Sequence, residues 1–166
     1  MKGILGTLAL CVVMAGLAFA QNSDPLAGTW RLNVSKSNMQ GATTSSQETV
    51  VLKVIGDEES FTSHAVAASN GEKETTTYTA KYSGPEAAMK SVYVAKDGKQ
   101  RIEDATVTVK RVSDRVRERF VKRDGKVVLH ARRVVSDDGK TLTSSILGTD
   151  NSGKEVVRQT RVFDKQ

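Results

Sequence analysis

The 166-residue sequence holds a single cysteine, Cys11, and it lies in the opening apolar stretch. One cysteine closes no internal disulfide, and without that stretch the chain has neither a thiol nucleophile nor a thiolate metal ligand. Histidine is nearly as scarce. His64 and His130 are far apart, and no carboxylates sit near them at a spacing that builds a metal site. Aromatic residues make up 5% of the chain, with Trp30 the sole indole. After the opening stretch no segment carries a 3.6-residue apolar period, so no long helix is expected. No serine stands in a nucleophile elbow, and no glycine loop precedes a helix to cradle phosphate. Asp57, Glu58 and Glu59 fall at a turn and read as solvated, as do Asp137 and Asp138. These absences leave no catalytic apparatus, no metal site and no cofactor site, so the sequence reads as non-enzymatic.

What is present begins with a leader. Lys2 supplies a positive start, Ile4 to Leu17 is an apolar run, and Ala18-Phe19-Ala20 offers small residues where a signal peptidase requires them. Residues 1–20 therefore read as a secretory signal, and the run is too short and glycine-rich for a good membrane span. Leu10 before Cys11 argues against lipidation, which needs a small residue there. The expected product is an exported, periplasmic or secreted protein of one domain, residues 21–166, with no transmembrane segment. A chain of this length can bury a core without cross-links. The formal charge of +6 becomes +5 when Lys2 is lost, a modest excess that favours anionic partners without naming one.

The domain is punctuated like an antiparallel meander. Asn70-Gly71, Asp97-Gly98, Asp124-Gly125, Asp138-Gly139 and Asn151 to Gly153 are tight-turn signals between Val- and Thr-rich runs. Strands are expected over 28–35, 47–56, 59–69, 72–83, 89–95, 105–113, 115–123, 126–136, 140–149 and 154–164. An open sheet of that width exposes two edges, which closure into a barrel removes. The fold class is thus all-β, an antiparallel up-and-down barrel of about 8–10 strands. The polar segment 36–46 reads as a loop or barrel lid.

Alternation assigns faces. Gly28, Trp30, Leu32 and Val34 share one side of the first strand. Val50, Leu52 and Val54 share a face, as do Tyr78, Ala80 and Tyr82. In 115–123 the split is sharp, with Arg115, Arg117, Arg119 and Arg123 on one side and Val116 and Phe120 on the other. The arginine row reads as an outer face, either simply solvated or meeting an anionic surface; Arg132 and Arg133 add to the local basic excess. Nucleic acid is disfavoured, because the row has no interleaved aromatic platform. The last strands carry charge on both faces, so their inward sides are expected to be partly polar.

The two ends of the chain carry a resemblance. "GTW" at 28–30 with "RQTRVFDK" at 158–165 resembles the calycin group, the lipocalins and the intracellular fatty-acid-binding proteins. "TRVFDK" is particularly similar to the terminal strand of the fatty-acid-binding proteins. "GTWRLNVSKS" and "VVSDDGKTLT" look like stretches of secreted bacterial lipocalin-like proteins. The resemblance implies a lipocalin-like barrel plugged at one end by Trp30, with a basic residue of the last strand across the indole. Arg161 is the candidate for that role, and Arg158 its alternative. The resemblance equally implies a second role for Arg161, since fatty-acid-binding proteins hold a ligand carboxylate with an Arg-x-Tyr pair in this place. Phe163 departs from that pair by lacking the hydroxyl, and 36–46 is too short for their helical lid. The expected function is binding of a small, largely apolar ligand, such as a lipid or fatty acid, in the barrel interior. Arg161, Phe163, Tyr78, Tyr82 and Phe120 are its expected wall. An interaction protein working through the basic face is the alternative.

Overall fold

The computed structural model describes residues 24–39 and 44–166. The proposed signal, with Cys11 and the cleavage site at Ala20, lies outside the described residues, as do 40–43 of the expected lid. Ten strands follow in order: β1 (Gly28–Leu32), β2 (Ser45–Ile55), β3 (Glu58–Ala67), β4 (Lys73–Lys81), β5 (Ala87–Val94), β6 (Gln100–Ser113), β7 (Val116–Arg123), β8 (Lys126–Val135), β9 (Thr141–Thr149) and β10 (Glu155–Lys165). Each pairs antiparallel with its sequence neighbour, and β1 also pairs with β10, closing an up-and-down barrel of lipocalin-like architecture. Closure leaves no free edge, which explains why so many β-rich runs tolerate one another in a single sheet.

The turn dipeptides mark the reversals. At the β7–β8 hairpin both central residues, Asp124 and Gly125, have positive φ (49° and 73°), the conformation that matches the twist of two tightly joined strands. Boundaries move by a few residues from those expected. The largest change is in β6, which begins at Gln100 rather than 105. The first strand is shorter than its alternation suggests: Val34–Lys36 forms a single 3-10 turn, leaving Val34 exposed. Asn33 caps that turn, its side-chain oxygen accepting from the Lys36 amide at 3.2 Å.

The barrel has two unlike ends. The lower end gathers the β2–β3, β4–β5, β6–β7 and β8–β9 turns with both ends of the barrel sequence. The upper end gathers the β1–β2 loop and the remaining hairpins. Leu26, Trp30, Leu52, Val107, Val109 and Val135 are buried near the lower end and form its apolar plug. Each side chain of that size removed from water contributes about 1.5–3 kcal/mol.

Candidate functional site

The closed end answers to three residues of the G-x-W segment and the last strand. Trp30 is fully buried, and its indole N–H donates to the Leu26 carbonyl at 2.9 Å. The basic residue over the indole is Lys165, its ammonium 5.0 Å from the ring centroid. The expectation for Arg161 is corrected here by register. Trp30 pairs directly with Lys165, whereas Arg161 lies four residues further up β10, roughly 13 Å away along an extended strand. Arg158 is higher still and donates to the Thr149 carbonyl near the upper rim. Gly28 is required by the same arrangement. Its φ is 139°, and a Cβ there would stand 2.9 Å from the Lys165 side chain that crosses it.

Above the plug lies a charged layer that faces inward. Glu59 is fully buried, not solvated, because it is the first inward residue of β3 rather than part of the turn. It accepts from the Tyr78 hydroxyl at 2.6 Å and from Arg133 at 2.7 Å, with the Tyr82 hydroxyl at 3.2 Å from its second oxygen. Burial by itself would raise the Glu59 carboxyl; Arg133, the Tyr78 hydrogen bond and Arg119 outweigh it and hold the group below its ordinary range. Burial and the neighbouring Glu59 charge push the Tyr78 phenol well up, so it stays a donor at neutral pH, even though Arg133 and Arg119 pull the other way. Tyr78 and Tyr82 thus sit beneath the cavity as partners of Glu59 and do not form its wall. The Tyr82 ring is flanked by the guanidinium groups of Arg111 at 4.6 Å and Arg117 at 4.8 Å.

The arginine row of β7 turns inward, contrary to the outer face read from its charge. Arg117 is fully buried and paired with Asp24 of the entering segment, and it also donates to the carbonyls of Ser113 and Val116. Arg119 stacks over Phe61 at 4.9 Å, with Tyr78 at 5.8 Å. Arg123 reaches the upper rim, ion-paired with Glu103, and Arg115 lies at the lower edge with Asp137. Phe120 faces outward, stacked on His130 at 4.2 Å between centroids, and is no part of the interior. The physical reason is closure. β7 is locked between β6 and β8 in a register that places Val107, Val109, Ala131 and Val135 inside, and the arginines share that side.

Between these layers and the upper rim the barrel encloses a cavity of about 460 Å³ to which nine of the ten strands contribute. Val50, Phe61, Met89, Val121, Leu142 and Phe163 supply its apolar wall. Ser63, Thr76, Ser91 and Ser144 add hydroxyls. Arg161 also lines it, and there its guanidinium meets the Glu48 carboxylate at 2.9 Å, while Ser63 donates to the other Glu48 oxygen at 2.9 Å. Of the residues expected to contact a ligand, Arg161 and Phe163 reach this space; Phe120, Tyr78 and Tyr82 do not line it. A shallow groove over β3–β6, about 500 Å³, is lined by Phe61, Tyr78, Met89 and two alanines together with four Ser and Thr hydroxyls, and its only charged residues are Lys90 and Asp104.

Glu48 drew no reading from the sequence, and Glu59 and Arg133 were expected to be solvated but are buried, yet parity could have placed them inside. Glu48 continues the Val50–Leu52–Val54 face, Glu59 shares its parity with Phe61 and Ala65, and Arg133 lies between Ala131 and Val135. Among the described residues no group of three or more His, Cys, Asp and Glu side chains could hold a metal ion. No protein-family model matches the sequence, and no curated protein is detectably similar to it.

Proposed function

We propose that this chain is an exported, non-catalytic binding protein that holds a small, partly apolar molecule inside its barrel. The observation that carries this reading is the interior cavity of about 460 Å³, which falls within the range of about 300–1,000 Å³ typical of small-molecule sites. Its wall combines apolar side chains, which supply transfer energy, with hydroxyls and charged side chains, which set orientation. Kinship with the calycin group is supported by the closed ten-stranded barrel and by Lys165 laid over Trp30. Export rests on the leader pattern at 1–20. Titration of the purified protein with a fluorescent fatty acid is the test, with saturation expected near one per chain. Ser144→Trp, which puts an indole into the cavity from β9, should abolish that binding while leaving the unfolding midpoint within the range of a tolerated substitution. Binding that fails to saturate, or that survives the filled cavity, would reject the interior as the site.

A further inference from the structure

Near the cavity floor the charges do not balance, whereas Glu72 and Glu74 offset arginines nearer the rim. Arg117 is matched by Asp24, and Arg161 by Glu48. Glu59 is shared within one layer with Arg133 and Arg119, two cations for one carboxylate. Arg133 is 3% exposed, and only one of its terminal nitrogens is used, on Glu59; its Nε and Nη1 are buried without a hydrogen-bond partner. Arg119 makes no ion pair or hydrogen bond to any described residue, and its Nε is likewise buried without a partner. Buried guanidinium donors without acceptors are rare because each forfeits its hydration.

These donors converge. Arg119 stands opposite Ala131, so Arg133 is the next inward residue down the adjoining strand. Both guanidinium carbons lie within 6 Å of the Phe61 ring centroid, at 4.9 and 5.9 Å, and both side chains line the cavity. The position differs from the place on β10 that the sequence resemblance points to, where Glu48 already answers Arg161.

Resting on the binding reading above, we propose that Arg119 and Arg133 form the seat of a carboxylate, and that the barrel takes a monoanionic amphiphile head first. One uncompensated positive charge matches one negative charge. The planar fork of guanidinium N–H groups fits the two oxygens of a carboxylate better than a point charge would. Along β3 the inward residues climb from Glu59 through Phe61 to Ser63 and Ala65. A ligand seated on the arginines therefore passes first through the apolar belt of Phe61, Met89 and Val121 and then meets hydroxyls. That order fits a short apolar body better than a long alkyl chain.

Calorimetric titration at pH 8 with octanoate, octan-1-ol and octyl phosphate, on wild type and Arg119→Met, tests the proposal. Wild type should bind octanoate about tenfold or more tighter than octanol, the scale of one added charge-assisted contact. Arg119→Met should erase that preference and leave octanol affinity unchanged. Arg119→Gln supplies a second arm if the methionine variant fails to fold, and the Trp30 emission reports folding in each. Equal wild-type affinity for octanoate and octanol overturns the carboxylate seat while leaving the cavity reading intact. A preference that survives both substitutions overturns it too. Octyl phosphate binding tighter than octanoate overturns the match to a single charge. Binding of none of the three overturns the cavity reading and the proposal together.

Discussion

Arg117 and Arg119 stand two residues apart on one strand and point into the same barrel, yet their surroundings are opposite. Arg117 is sealed at the lower end, with the Asp24 carboxylate and two carbonyls on its guanidinium. Arg119 borders the cavity, stacked on ring faces, with no carboxylate in direct contact and only the shared charge of Glu59 nearby. A buried charge in contact with a counter-charge holds a structure together through the penalty of removing its partner. A charge left unanswered beside an open cavity adds little to stability and is available to a ligand. On the proposed reading the barrel separates a structural end from a binding end along its own axis, using the same residue type for both.

The comparison would break most visibly at Glu59, which belongs to both regions. Glu59→Gln leaves Arg133 buried without a counter-charge and should destabilise the protein by about 3–5 kcal/mol in urea unfolding at pH 7. Protonation should do the same by degrees. Because the folded-state pKa of Glu59 lies below its ordinary value of about 4.5, the stability it contributes is fully present above that value. It is lost as pH falls through the depressed native pKa. Unfolding midpoints of wild type should therefore drop steeply below about pH 4.5, and those of Glu59→Gln less steeply. Parallel pH profiles would mean that Glu59 is not the group that titrates.

Substituting the two arginines sharpens the contrast directly. Arg117→Met strands the Asp24 carboxylate and should cost about 3 kcal/mol in the same assay. A smaller loss is expected at the indole: Lys165→Met keeps the stem across Gly28 but removes the ammonium from Trp30. About 1 kcal/mol and a changed Trp30 emission should follow. Arg119→Met should leave the midpoint of the empty protein unchanged or slightly raised, since no ion pair is lost. If Arg117→Met and Arg119→Met destabilise equally, the division into a structural and a binding end is wrong.

Much of this architecture was legible before any coordinates. The turn dipeptides and the Val- and Thr-rich runs located all ten strands, because positive φ at Asp-Gly and Asn-Gly and the β preference of branched side chains act within a few residues. Trp30 as a buried plug was legible as well. Its cation was not, because Lys165 rather than Arg161 reaches the indole only through the pairing of β1 with β10, a contact between the two ends of the barrel. The site was legible in fragments: Arg161 and Phe163 were expected in the interior and line it, whereas Tyr78 and Tyr82 lie under it and Phe120 lies outside.

Sequence by itself determined which residues share a face, since side chains alternate with a period of two whatever the fold. Which face looks inward was decided only by closure. On β7 the usual rule, charge outward and Val116 and Phe120 inward, gives the opposite of what the register with β6 and β8 imposes. A solid core would have enforced the rule, because an arginine inside it has nothing to pair with. This barrel surrounds Asp24, Glu48, Glu59 and a cavity, so guanidinium groups find carboxylates and open space within it, and the face that charge alone would send outward is the one the protein keeps inside.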